Sequence, residues 1–141
     1  MKYYMTRGEI FDADTGMATL GHEELRDLLA KLLTKVPAAV VHDAYKNCIY
    51  LMPAPERKGV FIPNRVIEGK HIIMFPHALL SWPEEEQINV VLHETAHYVL
   101  GHKSPLEDPD LDYERQEEEA WAVVNRWLKD WSEFARASVK P

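Results

Sequence analysis

The chain has 141 residues, 46% of them hydrophobic and 28% charged, and a formal net charge of −7. That length suits a single domain over residues 1–141, with a packed core under a charged surface. The acidic balance argues against nucleic acid and anionic membrane as partners, and no apolar run approaches the roughly 18 residues of a membrane span. Cys48 stands alone, which rules out an internal disulfide and points to a reducing, cytoplasmic setting.

The first twenty residues hold no sustained period, with Gly8, Gly16 and Gly21 interrupting, and read as loose chain or a short hairpin. In "HEELRDLLAKLLTKV", Leu25, Leu28, Leu29, Leu32 and Leu33 recur at helical spacing, and Pro37 stops the helix. "AAVVHDAYKNCIYLMP" alternates and is rich in strand formers around Val40, Val41, Ile49 and Leu51. "KGVFIP" and "GKHIIMFP" are short apolar runs bounded by Gly and Pro, again strand-like. "SWPEEEQINVVLHETAHYVLG" then reads as a helix. Ser81 with Glu84 three residues on is a capping-box pattern, Pro83 fits the first turn, and Gly101 is a C-terminal stop. A last helix starts between Asp110 and Tyr113 and runs to about Ala135. The order predicts an α+β fold, a small sheet packed on helices.

The helix over residues 84–100 carries the chemistry. His93 and His97 are four apart, so both imidazoles leave one face of a helix and can meet one ion at the roughly 2.0–2.1 Å of a Zn²⁺–N bond. Glu94 lies a third of a turn away, placed to reach a water at the metal rather than the metal itself. This H-E-x-x-H pattern is short enough to arise by chance, but here it sits on a helix with start and stop signals. Ile88, Val91, Leu92 and Val99 form one apolar stripe of that helix, and Val90 and Leu100 flank the histidines on another. Two histidines and a glutamate on a helix so apolar need compensation, and a metal supplies it.

A third ligand is sought downstream. The H-E-x-x-H-x-x-G-x-x-H spacing would need glycine at 100 and histidine at 103, where the chain has Leu100 and Lys103. Gly101 and His102 are one place out of register, so His102 reads as a polar residue after a helix stop. "YERQEEEAWAVVNRWLKDW" offers Glu114, Glu117, Glu118 and Glu119. Glu117 heads the stripe Ala120, Trp121, Val124, Leu128 and Trp131, which predicts a core-facing side. Glu118 heads Asn125 and Lys129 on a solvent side, and Glu119 lies on a mixed side near Ala122, Val123 and Arg126. The expected metal set is therefore His93, His97 and Glu117, with Zn²⁺ as cofactor and Glu94 as the catalytic base.

"HETAHYVLGH" followed by "EEEAWAVV" resembles the ImmA/IrrE family of bacterial and phage metallopeptidases. Its pattern is H-E-x-x-H-x-x-x-G-H, then E-x-E-A-[ND]-x-F-A. The likeness spans roughly residues 60 to 130. It implies a zincin-like fold, with metal ligands at His93, His97 and Glu117, a catalytic base at Glu94, and cleavage of a protein such as a repressor or other regulator, met in trans. Trp121 stands where the family pattern has Asn or Asp, and Val123 and Val124 where it has F-A.

The resulting expectation is a zinc-dependent peptidase acting on a protein or peptide. The departure at Trp121 leaves a second reading, a weakly active or non-catalytic zincin-fold module that binds a partner protein. Tyr98, Tyr113, His77 and His102 are the candidates to stabilise an oxyanion. The strand around Ile72 to Phe75 is a candidate edge for an extended substrate, or an ordinary core strand.

Overall fold

The structure is a computed structural model that describes residues 3–15, 18–52, 70–102 and 112–139. Helix α1 (Arg7–Ala13) precedes α2 (Glu23–Leu32), which tightens into a 3-10 turn at Leu33–Lys35. Helix α3 (Ala38–Asn47) runs directly into strand β1 (Cys48–Leu51). Strand β2 (His71–Met74), a 3-10 turn (His77–Ser81), α4 (Glu84–Val99) and α5 (Tyr113–Val139) complete the order. The class is α+β, with helices dominating. No described helix is long and apolar enough to cross a membrane.

Strands β1 and β2 pair in parallel, Cys48 opposite His71 through Leu51 opposite Met74. The "KGVFIP" run expected as a strand lies outside the described residues. Side chains from all five described helices and both strands meet in one apolar cluster. Its largest fully buried members include Tyr50, Phe75, Ile10, Leu25 and Leu29. The leucine stripe of α2 is buried as its spacing predicts, with Leu25, Leu29 and Leu32 fully inside.

Four local expectations are corrected. The described part of the first twenty residues holds a helix, α1, rather than a hairpin. Thr6 and Glu9 form a reciprocal capping box that starts α1, and Ile10 anchors that helix in the core. Residues Val40 and Val41 are helical rather than extended. Ala38, Val41 and Ala44 recur at three-residue spacing and bury one face of α3, and that packing outweighs the strand preference of two adjacent valines. Pro37 presets the entry to α3 rather than ending α2. Ser81 and Glu84 form no capping box: the N-cap of α4 is Pro83, with no side-chain cap, and Ser81 Oγ donates to the Ala78 carbonyl at 2.9 Å. Three glutamates in the first turn of α4, Glu84 to Glu86, answer its positive end electrostatically instead.

Helix α4 is tied to its surroundings by buried polar contacts on the side away from its histidines. Thr95, between the two histidines in sequence, donates its hydroxyl to the Val91 carbonyl at 2.8 Å. The Tyr50 hydroxyl of β1 reaches Thr95 Oγ1 at 3.1 Å, and the Tyr50 ring stacks on Phe75 with centroids 6.0 Å apart. Buried Gln87 donates to the Leu79 carbonyl at 2.8 Å, joining the start of α4 to the 3-10 turn before it. Strand, turn and helix thus fix the rotation of α4, which decides where its opposite face points.

Candidate metal centre

The face of α4 opposite Thr95 looks at α5. Helix α5 contributes Ala120, Val124 and Trp127 to the core, which sets its own rotation and brings Glu117, one turn before Ala120, over the α4 histidines. His97 Nε2 lies 2.9 Å from His93 Nε2 and 2.9 Å from Glu117 Oε1. His93 Nε2 lies 3.1 Å from Glu117 Oε2. His93, His97 and Glu117 can therefore hold one metal ion. Two imidazole nitrogens and a carboxylate directed at one point are a donor set that can share a cation. The two histidines meet different Glu117 oxygens, and one ligand atom from each of the three residues lies within 4.8 Å of the others. Zn²⁺ ligand atoms about 2.0–2.1 Å from the ion, tetrahedrally arranged, stand about 3.3 Å apart, so the cluster fits with small side-chain adjustments.

Glu94 stands beside this triangle, half-buried. Burial raises its carboxyl above the usual carboxylate range. Nearby His97 opposes that shift and the Glu117 charge adds to it. His97 is lowered by burial and by His93, against the pull of Glu94 and Glu117, so its imidazole is held toward the neutral form that ligates metal. The four residues form one electrostatic unit.

Several expected features fall differently. Trp121 does not join the core stripe: it is 39% exposed, and its indole tilts over the His93 ring with centroids 4.3 Å apart. Trp127, two turns deeper into α5, fills the core position instead. Helix α4 is apolar on more than one side but not buried all round, since Val99 and Leu100 are exposed at its end. Glu118 faces solvent as expected. Among the oxyanion candidates, the Tyr98 hydroxyl is committed to Asp43 on α3, donating at 2.8 Å. Tyr113 is exposed one turn before Glu117, and His77 sits in the 3-10 turn before α4.

Two residues set aside as metal ligands, His102 and Glu119, stand beside the cluster. His102 Nδ1 lies 2.8 Å from His97 Nδ1, and His102 Nε2 lies 3.5 Å from Glu119 Oε1. The signal was present in the glycine-histidine pair after the helix, which pattern matching for a third ligand discards.

Cys48, buried in β1, is not part of the site. Burial first, and Asp43 next, push its thiol up to about 12, so it behaves as a small apolar side chain. Comparison with family models, with curated proteins and with solved structures found no match to this chain.

Proposed function

We propose that the chain is a zinc-dependent peptidase with a zincin-like fold, similar in kind to the ImmA/IrrE metallopeptidases, cleaving a protein or peptide substrate met in trans. The observation that carries this reading is the convergence of His93 Nε2, His97 Nε2 and the Glu117 carboxylate with Glu94 beside them. His₂Glu is a donor set of catalytic zinc, which keeps a further position open for water or substrate. The lone buried Cys48 and the acidic charge support a reducing, cytoplasmic setting with neither nucleic acid nor membrane as partner.

Zinc, when bound, polarises a scissile carbonyl and makes a water acidic enough to attack at neutral pH. Glu94 takes the proton of the attacking water and returns it to the departing amine. Glu117 would supply negative charge to the cation, and fully buried Ala120, one turn on, keeps that side of α5 against the core.

The test is Glu94→Gln in the full chain, assayed on a peptide library with zinc content measured in parallel. The variant is expected to keep its zinc and lose hydrolysis by about 10²–10⁴-fold. Equal cleavage by wild type and variant would remove Glu94 as the base. The second reading, a weakly active or non-catalytic module binding a partner protein, is favoured by Trp121, which lays an apolar ring against His93 instead of a polar partner. Zinc retained with no cleavage by either protein supports that reading.

A further inference from the structure

His97 is the third residue from the end of α4, and the chain beyond it closes in a specific way. Gly101 has φ +67°, in the left-handed region. The Gly101 N–H donates to the Tyr98 carbonyl at 3.0 Å and the His102 N–H to the His97 carbonyl at 3.1 Å. That pair of bonds is the Schellman closure, in which the second residue past the helix cap is folded back against the third residue before it. The contact there is commonly apolar. Here it joins two imidazoles, His102 and His97, with ring centroids 5.0 Å apart.

The protons can then be followed atom by atom. His97 directs Nε2 at His93 and Glu117, so a lone pair at Nε2 leaves its ring proton on Nδ1. The Nδ1–H points to His102 Nδ1, 2.8 Å away, which must accept and therefore carries no proton. The proton of a neutral His102 is then on Nε2, the atom facing Glu119 Oε1. The His102 side chain is only 10% exposed, so water does not compete freely for it. Glu119 is itself steadied by Arg115 one turn earlier on α5, at 3.8 Å.

We infer that His102, anchored by Glu119, is a positioning residue that accepts the Nδ1 proton of His97 and so holds that imidazole with Nε2 toward the metal. This rests on the metal reading of His93, His97 and Glu117. A ligand histidine whose outer nitrogen is held is fixed in tautomer and ring angle and becomes a stronger donor. The two glutamates of α5 thus have separate tasks: Glu117 meets the metal side of His97, and Glu119 holds the residue behind it.

The experiment measures zinc affinity of the full chain by chelator competition in wild type, His102→Phe, His102→Asn, Glu119→Leu and His97→Ala. Phe keeps the contact across the helix end but offers no acceptor, whereas Asn can present an oxygen near the Nδ1 position. His102→Phe is expected to weaken zinc binding about 10–100-fold, with His102→Asn restoring most of it and Glu119→Leu losing less than Phe. Long-range ¹H–¹⁵N spectra of the zinc-loaded wild type should show His97 protonated and His102 bare at Nδ1. Unchanged affinity in His102→Phe, equal losses in the Phe and Asn variants, or a protonated His102 Nδ1 would overturn the positioning role. Zinc binding that survives His97→Ala, or is absent from the wild type, would instead overturn the metal reading on which it rests.

Discussion

The two imidazoles of the cluster leave the same face of one helix and stand in opposite surroundings. His97 is met on both nitrogens, by the cluster at Nε2 and by His102 at Nδ1. His93 is buried, and its Nδ1 has no hydrogen-bond partner among the described residues; the indole of Trp121 covers its ring. The difference is one of position along α4. A ligand one turn from a helix end can be supported by the chain that closes that end, as His102 supports His97. A ligand deeper in the helix has no such chain within reach and depends on what the neighbouring helix presents, and α5 presents Trp121.

Removing ligands one at a time tests whether the two sides belong to one site at all. His93→Ala and His97→Ala should each reduce zinc affinity by more than the roughly 10–100-fold typical of an outer supporting partner, and Glu117→Gln by at least that much. Glu118→Gln, altering an exposed carboxylate on the same helix, should change nothing. Chelator competition reads all four. A large loss in Glu118→Gln with none in Glu117→Gln would mean the facing of α5 is wrong.

The metal-free protein sharpens the contrast, because there the two histidines share Glu117 at Nε2 but differ at Nδ1, and should respond by different amounts. His93→Leu removes the unpartnered Nδ1 but also takes Nε2 away from Glu117 Oε2 and His97 Nε2, so the two effects partly offset and the cost should be about 1 kcal/mol or less. His97→Leu deprives Glu117 and His102 of a partner, and should cost about 1–3 kcal/mol. Urea unfolding in the presence of a chelator measures both. A destabilised His93→Leu matching His97→Leu would show that the His93 side is supported as well as the other.

Gly101→Ala gives the smallest expected effect and probes the helix end alone. A Cβ at Gly101 meets no atom within 4 Å, so the cost is the left-handed backbone itself, about 1 kcal/mol. The thermal midpoint should fall by a few degrees, roughly the 2–8 °C that 1 kcal/mol gives a chain of this size. Any accompanying loss of zinc affinity would pass through His102, and should vanish when Gly101→Ala is made in a His102→Phe background.

Much of the site was legible in the residues because helical geometry is local. The four-residue spacing of His93 and His97, and the place of Glu117 at the head of Ala120 and Val124, follow from 3.6 residues per turn and needed no knowledge of the fold. The stop at Gly101 was equally local. The reading of α3 failed because adjacent valines favour strand while the Ala38, Val41, Ala44 face favours helix, and only burial against the core decides between them. Trp121 and Trp127 are six apart on one helix, and both could serve as core anchors on pattern alone. The packing of α5 on α4 sent Trp127 inward and left Trp121 over His93.

By itself the sequence determined the α+β class, the helix that bears His93, Glu94 and His97, and Glu117 as the residue to join them, because each depends on periodicity within one segment. Only the tertiary structure decided that these side chains converge to about hydrogen-bond distance, that Trp121 rather than a polar group lies against His93, and that Glu119 faces His102. Those outcomes depend on the rotation of α4 and α5 about their axes. That rotation is set by remote contacts, Tyr50 on Thr95 and Trp127 in the core, that no local spacing encodes.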